Sequence, residues 1–234
     1  MIMRLLFLLS LLLAHQQPLA AIIGVNFSGT IYQADDMSSD EYRDPTQDWI
    51  IELESRFDVG GRIHGSYYYD SEVLPYWANT NSEGTENLFP LISMEIYMEG
   101  FSARAEGGIS IIDGYYGGID QYVLWADVDD NISSQGTIAP LFAMGLGIYD
   151  YSGTLYHDAD QLPLTVPDLS IYDDRQISML FMDDLVPPYE GSFYIGASLD
   201  ALEIITVPEP SITAVFLLGL LMLASRNSSQ STRD

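Results

Sequence analysis

Between residues 22 and 207 the apolar side chains recur at every second position, not every third or fourth. Val25, Phe27, Gly29 and Ile31 alternate with Asn26, Ser28, Thr30 and Tyr32, the pattern of a strand with one face buried. Further strand candidates run over 62–69, 91–98, 109–112, 121–126, 141–149, 176–182, 193–197 and 201–206, and are rich in Tyr, Ile, Val and Phe. Residues 49–57 read two ways: Ile51, Leu53 and Phe57 alternate with Glu52, Glu54 and Arg56, while Trp49, Ile50 and Leu53 also suit one face of a helix. Turn chemistry separates the runs, at Asp58-Val59-Gly60-Gly61, Gly107-Gly108, Asp113-Gly114, Gly117-Gly118, Asp129-Asp130-Asn131 and Pro187-Pro188. About ten short strands joined this way predict an all-β fold, either a jelly-roll-like β-sandwich or a closed barrel. No fixed-period repeat is present.

Nothing but an ordinary hydrophobic core can hold such a fold here. The 234 residues include no cysteine, which excludes disulfide staples, thiolate metal sites and a cysteine nucleophile. A hydrophobic fraction of 47% supplies the core material. Eight arginines, with no lysine, stand against 34 acidic residues, for a net charge of −26. That balance argues against a nucleic-acid partner, because phosphate recognition needs clustered basic residues. The carboxylates are scattered, as on the solvated shell of a folded domain.

The two extremities differ from this body. Arg4 precedes an apolar run from Leu5 to Ala14 broken only by Ser10, the layout of a secretory signal too short to be a permanent membrane span. Ala20-Ala21 supplies small residues for signal peptidase. At the other end, Val207-Pro208-Glu209-Pro210-Ser211 leads into apolar Ile212 to Ala224 and then Arg226. Two prolines flanking Glu209 break both helix and central strand, leaving an extended segment that a processing enzyme can reach. The greasy run is short for a bilayer, and Arg226 favours the cytoplasmic side. The expected organisation is a signal peptide over 1–21, a β-sandwich ectodomain over 22–206 and a C-terminal sorting segment with a short transmembrane helix over 207–234, so that the ectodomain is flanked by an N-terminal signal helix and a C-terminal hydrophobic helix.

This order of Pro-Glu-Pro, apolar helix and basic residue resembles the PEP-CTERM sorting signal, carried here by Pro208, Glu209, Pro210 and Arg226. Phe27-Ser28-Gly29-Thr30-Ile31, Gly65-Ser66-Tyr67-Tyr68-Tyr69-Asp70 and the stretch from Leu162-Pro163 to Pro167-Asp168-Leu169 resemble the opening and close of ectodomains that precede such tails. The resemblance implies an exported protein of a Gram-negative bacterium. It would be held transiently in the inner membrane by its C-terminal helix, recognised there by an exosortase, and moved to the cell surface or extracellular matrix. Exopolysaccharide and biofilm are the associations that the family carries.

Signatures of catalysis are absent: no Gly-x-Ser-x-Gly elbow, His-Glu-x-x-His helix or phosphate-cradling Gly-Lys loop occurs. His64 and His157 are the histidines outside the signal segment, and neither has the neighbours of a transition-metal site. Acidic pairs such as Asp173-Asp174 and Asp183-Asp184 are too frequent in this composition to mark glycoside hydrolysis. Calcium is the better-founded ion. Asp127, Asp129 and Asn131 offer oxygens at the first, third and fifth positions of a loop, although Ile132 and Ile138 replace the glycine and glutamate that an EF-hand requires. Aromatic residues at Tyr67 to Tyr69, Tyr76, Trp77, Tyr115 and Tyr116 could stack on sugars, half of them being expected in the core. The leading expectation is therefore a non-enzymatic surface or matrix protein without a cofactor. A calcium-assisted, lectin-like carbohydrate-binding module and a secreted hydrolase are the alternatives.

Overall fold

The computed structural model describes residues 22–37, 48–82, 84–114, 118–127, 132–136, 141–153, 161–182 and 192–206. Within them the alternating runs become ten strands: β1 (Ile22–Asp36), β2 (Arg62–Asp70), β3 (Trp77–Asn81), β4 (Gly84–Met98), β5 (Phe101–Asp113), β6 (Asp120–Asp127), β7 (Ser133–Gln135), β8 (Leu141–Asp150), β9 (Asp174–Met182) and β10 (Ser192–Thr206). Residues 49–57, which carried both patterns, form helix α1 (Asp48–Arg56).

The sheet is an antiparallel barrel, not a sandwich. Strands β1, β2, β4, β5, β6, β8, β9 and β10 pair each with the next in chain order, and β10 closes back onto β1. Closure leaves no edge among these eight, which removes the template for strand aggregation. Strands β3 and β7 stand outside the ring, one on β4 and one on β5. The runs 193–197 and 201–206, separate in the sequence pattern, form one 15-residue strand with a bulge near Asp200.

Alternation sorts the two faces. Inward positions such as Val25, Phe27, Ile63, Tyr67, Phe89, Ile96, Leu124, Ile177 and Phe193 are at most 3% exposed and belong to one core. Burying each such side chain contributes roughly 1.5–3 kcal/mol. Outward positions include Asn26, Thr30, His64, Arg104, Glu106, Gln121 and Gln176. An apolar interior with a polar exterior is the inverse of a membrane-spanning barrel. Among the described residues no helix is long and apolar enough to cross a membrane.

Both barrel ends are closed by the chain itself. Helix α1 buries Trp49, Ile50 and Leu53 against one end, and Phe57 meets Phe101 edge-on with ring centroids 6.1 Å apart. At the other end Leu162 is buried, Val166 and Leu169 pack on the core, and the Tyr69 hydroxyl donates to the Pro163 carbonyl at 2.5 Å. The pairing of Ile23 with Thr206 brings the start of β1 and the finish of β10 out at this second end. The expected signal helix, the C-terminal helix and the motif residues Pro208, Glu209, Pro210 and Arg226 lie outside the described residues.

Candidate functional site

On the outer wall the register builds a row of small residues across five adjacent strands. Gly108 of β5 faces Trp125 of β6, Trp125 faces Gly145 of β8, Gly145 faces Ser178 of β9, and Ser178 faces Gly196 of β10. Trp125 is the one large side chain in that row. Its ring lies on Gly108, where an added Cβ would stand 2.9 Å from the indole. Gly145 and Ser178 lack bulk, so the wall sinks there, and the Tyr194 ring over Gly196 ends the depression.

Large side chains flank the depression. On one side stand Leu180 and Tyr194, directly paired; on the other stand Val123, Gln176 and Tyr149. The result is a groove of about 330 Å³ with Trp125 at one end and Asp127 on its lining. Tyr149 folds its ring over Gly147 of its own strand, and the rings of Tyr32 and Tyr194 bracket Gly196. A residue larger than glycine at 147 or 196 would collide with these rings, so the flat placement of the aromatics and the glycines under them depend on each other.

The rim is phenolic and acidic. Burial, reinforced by the adjoining Tyr32 phenol, pushes the Tyr194 hydroxyl up to about 12, so it remains a neutral donor. The Tyr32 hydroxyl donates to Gln176 Oε1 at 3.3 Å. Tyr149 stacks on Tyr151 at 6.4 Å, and the Tyr151 hydroxyl donates to Asp174 Oδ2 at 3.2 Å. Among the described residues no basic side chain lines the groove. The arrangement presents apolar rings, hydroxyls and a carboxylate, which suits binding.

A second, smaller hollow of about 200 Å³ lies between β4, β5 and β7. There the Tyr97 hydroxyl donates to Glu95 Oε2 at 2.6 Å, Arg104 pairs with Glu95 at 3.4 Å, and His64 stacks on Tyr97 at 5.5 Å. The carboxylate acceptor, with a smaller contribution from burial, raises the Tyr97 phenol above its ordinary value. These groups satisfy one another on an open surface.

The residues singled out in the sequence are spread over the molecule. Tyr67 and Tyr69 point into the core and Tyr68 outward, as strand alternation requires. Tyr76 and Trp77 are exposed beside β3, away from the groove. Asp127 reaches the groove, whereas Asp129, Asn131, His157, Tyr115, Tyr116 and the Asp183-Asp184 pair lie outside the described residues. Among the described residues no three His, Asp or Glu side chains gather as metal ligands. Buried carboxylates do occur, at Asp120 and Asp150, directly opposed on β6 and β8. Each fixes a turn: Asp120 accepts the Gly114 N–H at 2.8 Å, and Asp150 accepts the Ser152 N–H at 2.8 Å. Of the Asp173-Asp174 pair, one accepts the Tyr151 N–H and the other its hydroxyl. Comparison with protein-family models, curated proteins and solved structures found no match to this chain.

Proposed function

We propose that this chain is an exported, non-catalytic protein of the cell surface or extracellular matrix, delivered through an exosortase-type sorting signal at Pro208, Glu209, Pro210 and Arg226. One observation carries the reading. The barrel from β1 to β10 buries Trp49, Ile50 and Leu53 at one end and Leu162 at the other, and its first and last strands leave at the same end through the Ile23–Thr206 pairing. A core already built from described residues supports reading the apolar runs at 5–14 and 212–224 as segments handled by export machinery. The polar outer wall and the charge of −26 suit a hydrated cargo. The groove beside Trp125 favours a role in binding matrix polymer over a purely structural one.

The test is deletion of 208–234 in the native host. The shortened protein is expected to appear in the culture medium instead of with the cell surface, and intact-mass analysis of the full-length product should show both termini trimmed. Unchanged localisation of the deletion, or a product retaining Met1 and Asp234, would overturn the proposal.

A further inference from the structure

We infer that the groove over Gly145 and Ser178 binds a glycan strand whose sugars carry free amino groups. The inference rests on the reading of the barrel as a surface protein only for where the ligand is met; the groove's chemistry stands on its own. Its shape comes first. From Trp125 to Ser178 the floor crosses two inter-strand spacings, ~10 Å at ~4.8 Å each, long enough for two linked sugar rings. Leu180 and Gln176, which bound it on β9, are four residues apart, so their Cα atoms are separated by ~14 Å along the strand. Side chains on both banks narrow that gap, and a helix of ~10–12 Å diameter does not fit. An extended peptide has no free edge to join, because β6, β8, β9 and β10 are each paired on both sides. A thin, flat polymer fits.

The lining then selects among such polymers. The Trp125 indole packs on Gly108 and, half-buried, also lines the groove, a ring for the C–H face of a pyranose and for an ammonium group beside it. Tyr194, Tyr32 and Gln176 supply hydroxyl and amide groups for the sugar oxygens. Charge decides the substituent. The groove has Asp127 on its lining and Asp174 paired with Tyr149 just beyond it, no basic lining residue among the described residues, and a protein of net charge −26 around it. A polyuronate would be repelled and a polyamine-bearing glycan drawn in.

The experiment uses the full-length chain in mild detergent and titrates it calorimetrically with a glucosamine hexamer, its N-acetylated counterpart and a hexameric uronate. The glucosamine hexamer should bind at least tenfold tighter than the acetylated one, with affinity falling as salt rises, and the uronate should not bind. Ser178→Lys, which sets a cation on the floor, should weaken the glucosamine hexamer at least tenfold, as should Tyr149→Ala. Trp77→Ala, far from the groove, should leave binding unchanged. Far-UV circular dichroism verifies that each variant is folded. Equal or better binding of the uronate, no binding of the glucosamine hexamer, or an affinity within twofold of the parent in both folded groove variants would overturn the inference. A chain that is sorted normally yet ignores the glucosamine hexamer defeats this inference alone; one that binds it but needs no tail for its destination defeats only the sorting proposal.

Discussion

At the residue scale, Asp200 shows how a bulge is used. The extra residue in β10 opposite Ser28 and Gly29 turns this carboxylate toward Thr30, Ser198 and Arg62, whose donors lie at 2.7, 2.7 and 3.1 Å. Partial burial by itself would raise its pKa, but the two hydroxyls and the guanidinium outweigh that and hold it below the usual carboxylate range. A folded-state pKa below the unfolded one contributes stability above the unfolded value of ~3.9, and the contribution is lost as pH falls through the folded value. Asp200→Asn should therefore lower stability at pH 7 by less than ~1 kcal/mol, the range of an exposed pair. The gap to the parent should start to narrow below about pH 4 in urea melts run across pH and go on narrowing as pH falls; a gap that does not narrow on acidification would contradict the assignment. Some of this scale was legible in the sequence. The inward–outward split of Tyr67, Tyr68 and Tyr69 follows from period-two geometry alone. The groove was not, because Gly108, Trp125, Gly145, Ser178 and Gly196 are brought together only by the pairing of distant strands.

Among the elements, α1 is the informative one. Leu53 is fully buried under the barrel end while Ile51, on the same helix, is 51% exposed. Leu53→Ala removes contacts in a place where neither helix nor barrel can collapse freely, and should cost about 2–5 kcal/mol. Ile51→Ala should change stability by no more than ~0.5 kcal/mol. Comparing urea midpoints of the two variants checks the plug; equal effects would mean that α1 does not close the barrel. The sequence left this segment open between strand and helix because its alternation and its helical face share Leu53. Charge placement favours the helix physically, since Asp48 at the first turn and Arg56 at the last suit the helix dipole, and Glu52 pairs with Arg56 one turn on at 2.9 Å. Strands β3 and β7 escaped notice for the opposite reason. They bury almost nothing, so no hydrophobic period marks them, and they form because the long hairpin of β4 and β5 extends past the ring and offers them partners.

Taken as a whole molecule, the barrel answers a constraint set by composition. With no disulfide and a charge of −26, mutual repulsion must be resisted by burial and by backbone pairing alone. Closing the sheet satisfies every central strand on both edges, while the alternation keeps carboxylates outside. The pattern announced all-β and allowed a barrel; choosing barrel over sandwich required the β1–β10 pairing, a contact between the two ends of the ectodomain that local periodicity does not encode. That same contact makes the strongest claim about stability. If the core is complete between Ile22 and Thr206, a fragment of residues 22–206 should fold cooperatively, with the β-rich circular dichroism of the longer chain. Its melting midpoint should fall within about 4 °C of the cell-processed protein, equivalent to about 1 kcal/mol at this size. A fragment with no cooperative transition, or one that binds a hydrophobic dye like a partly folded state, would mean that an apolar terminus completes the core. The sealed barrel could not then be an independent cargo.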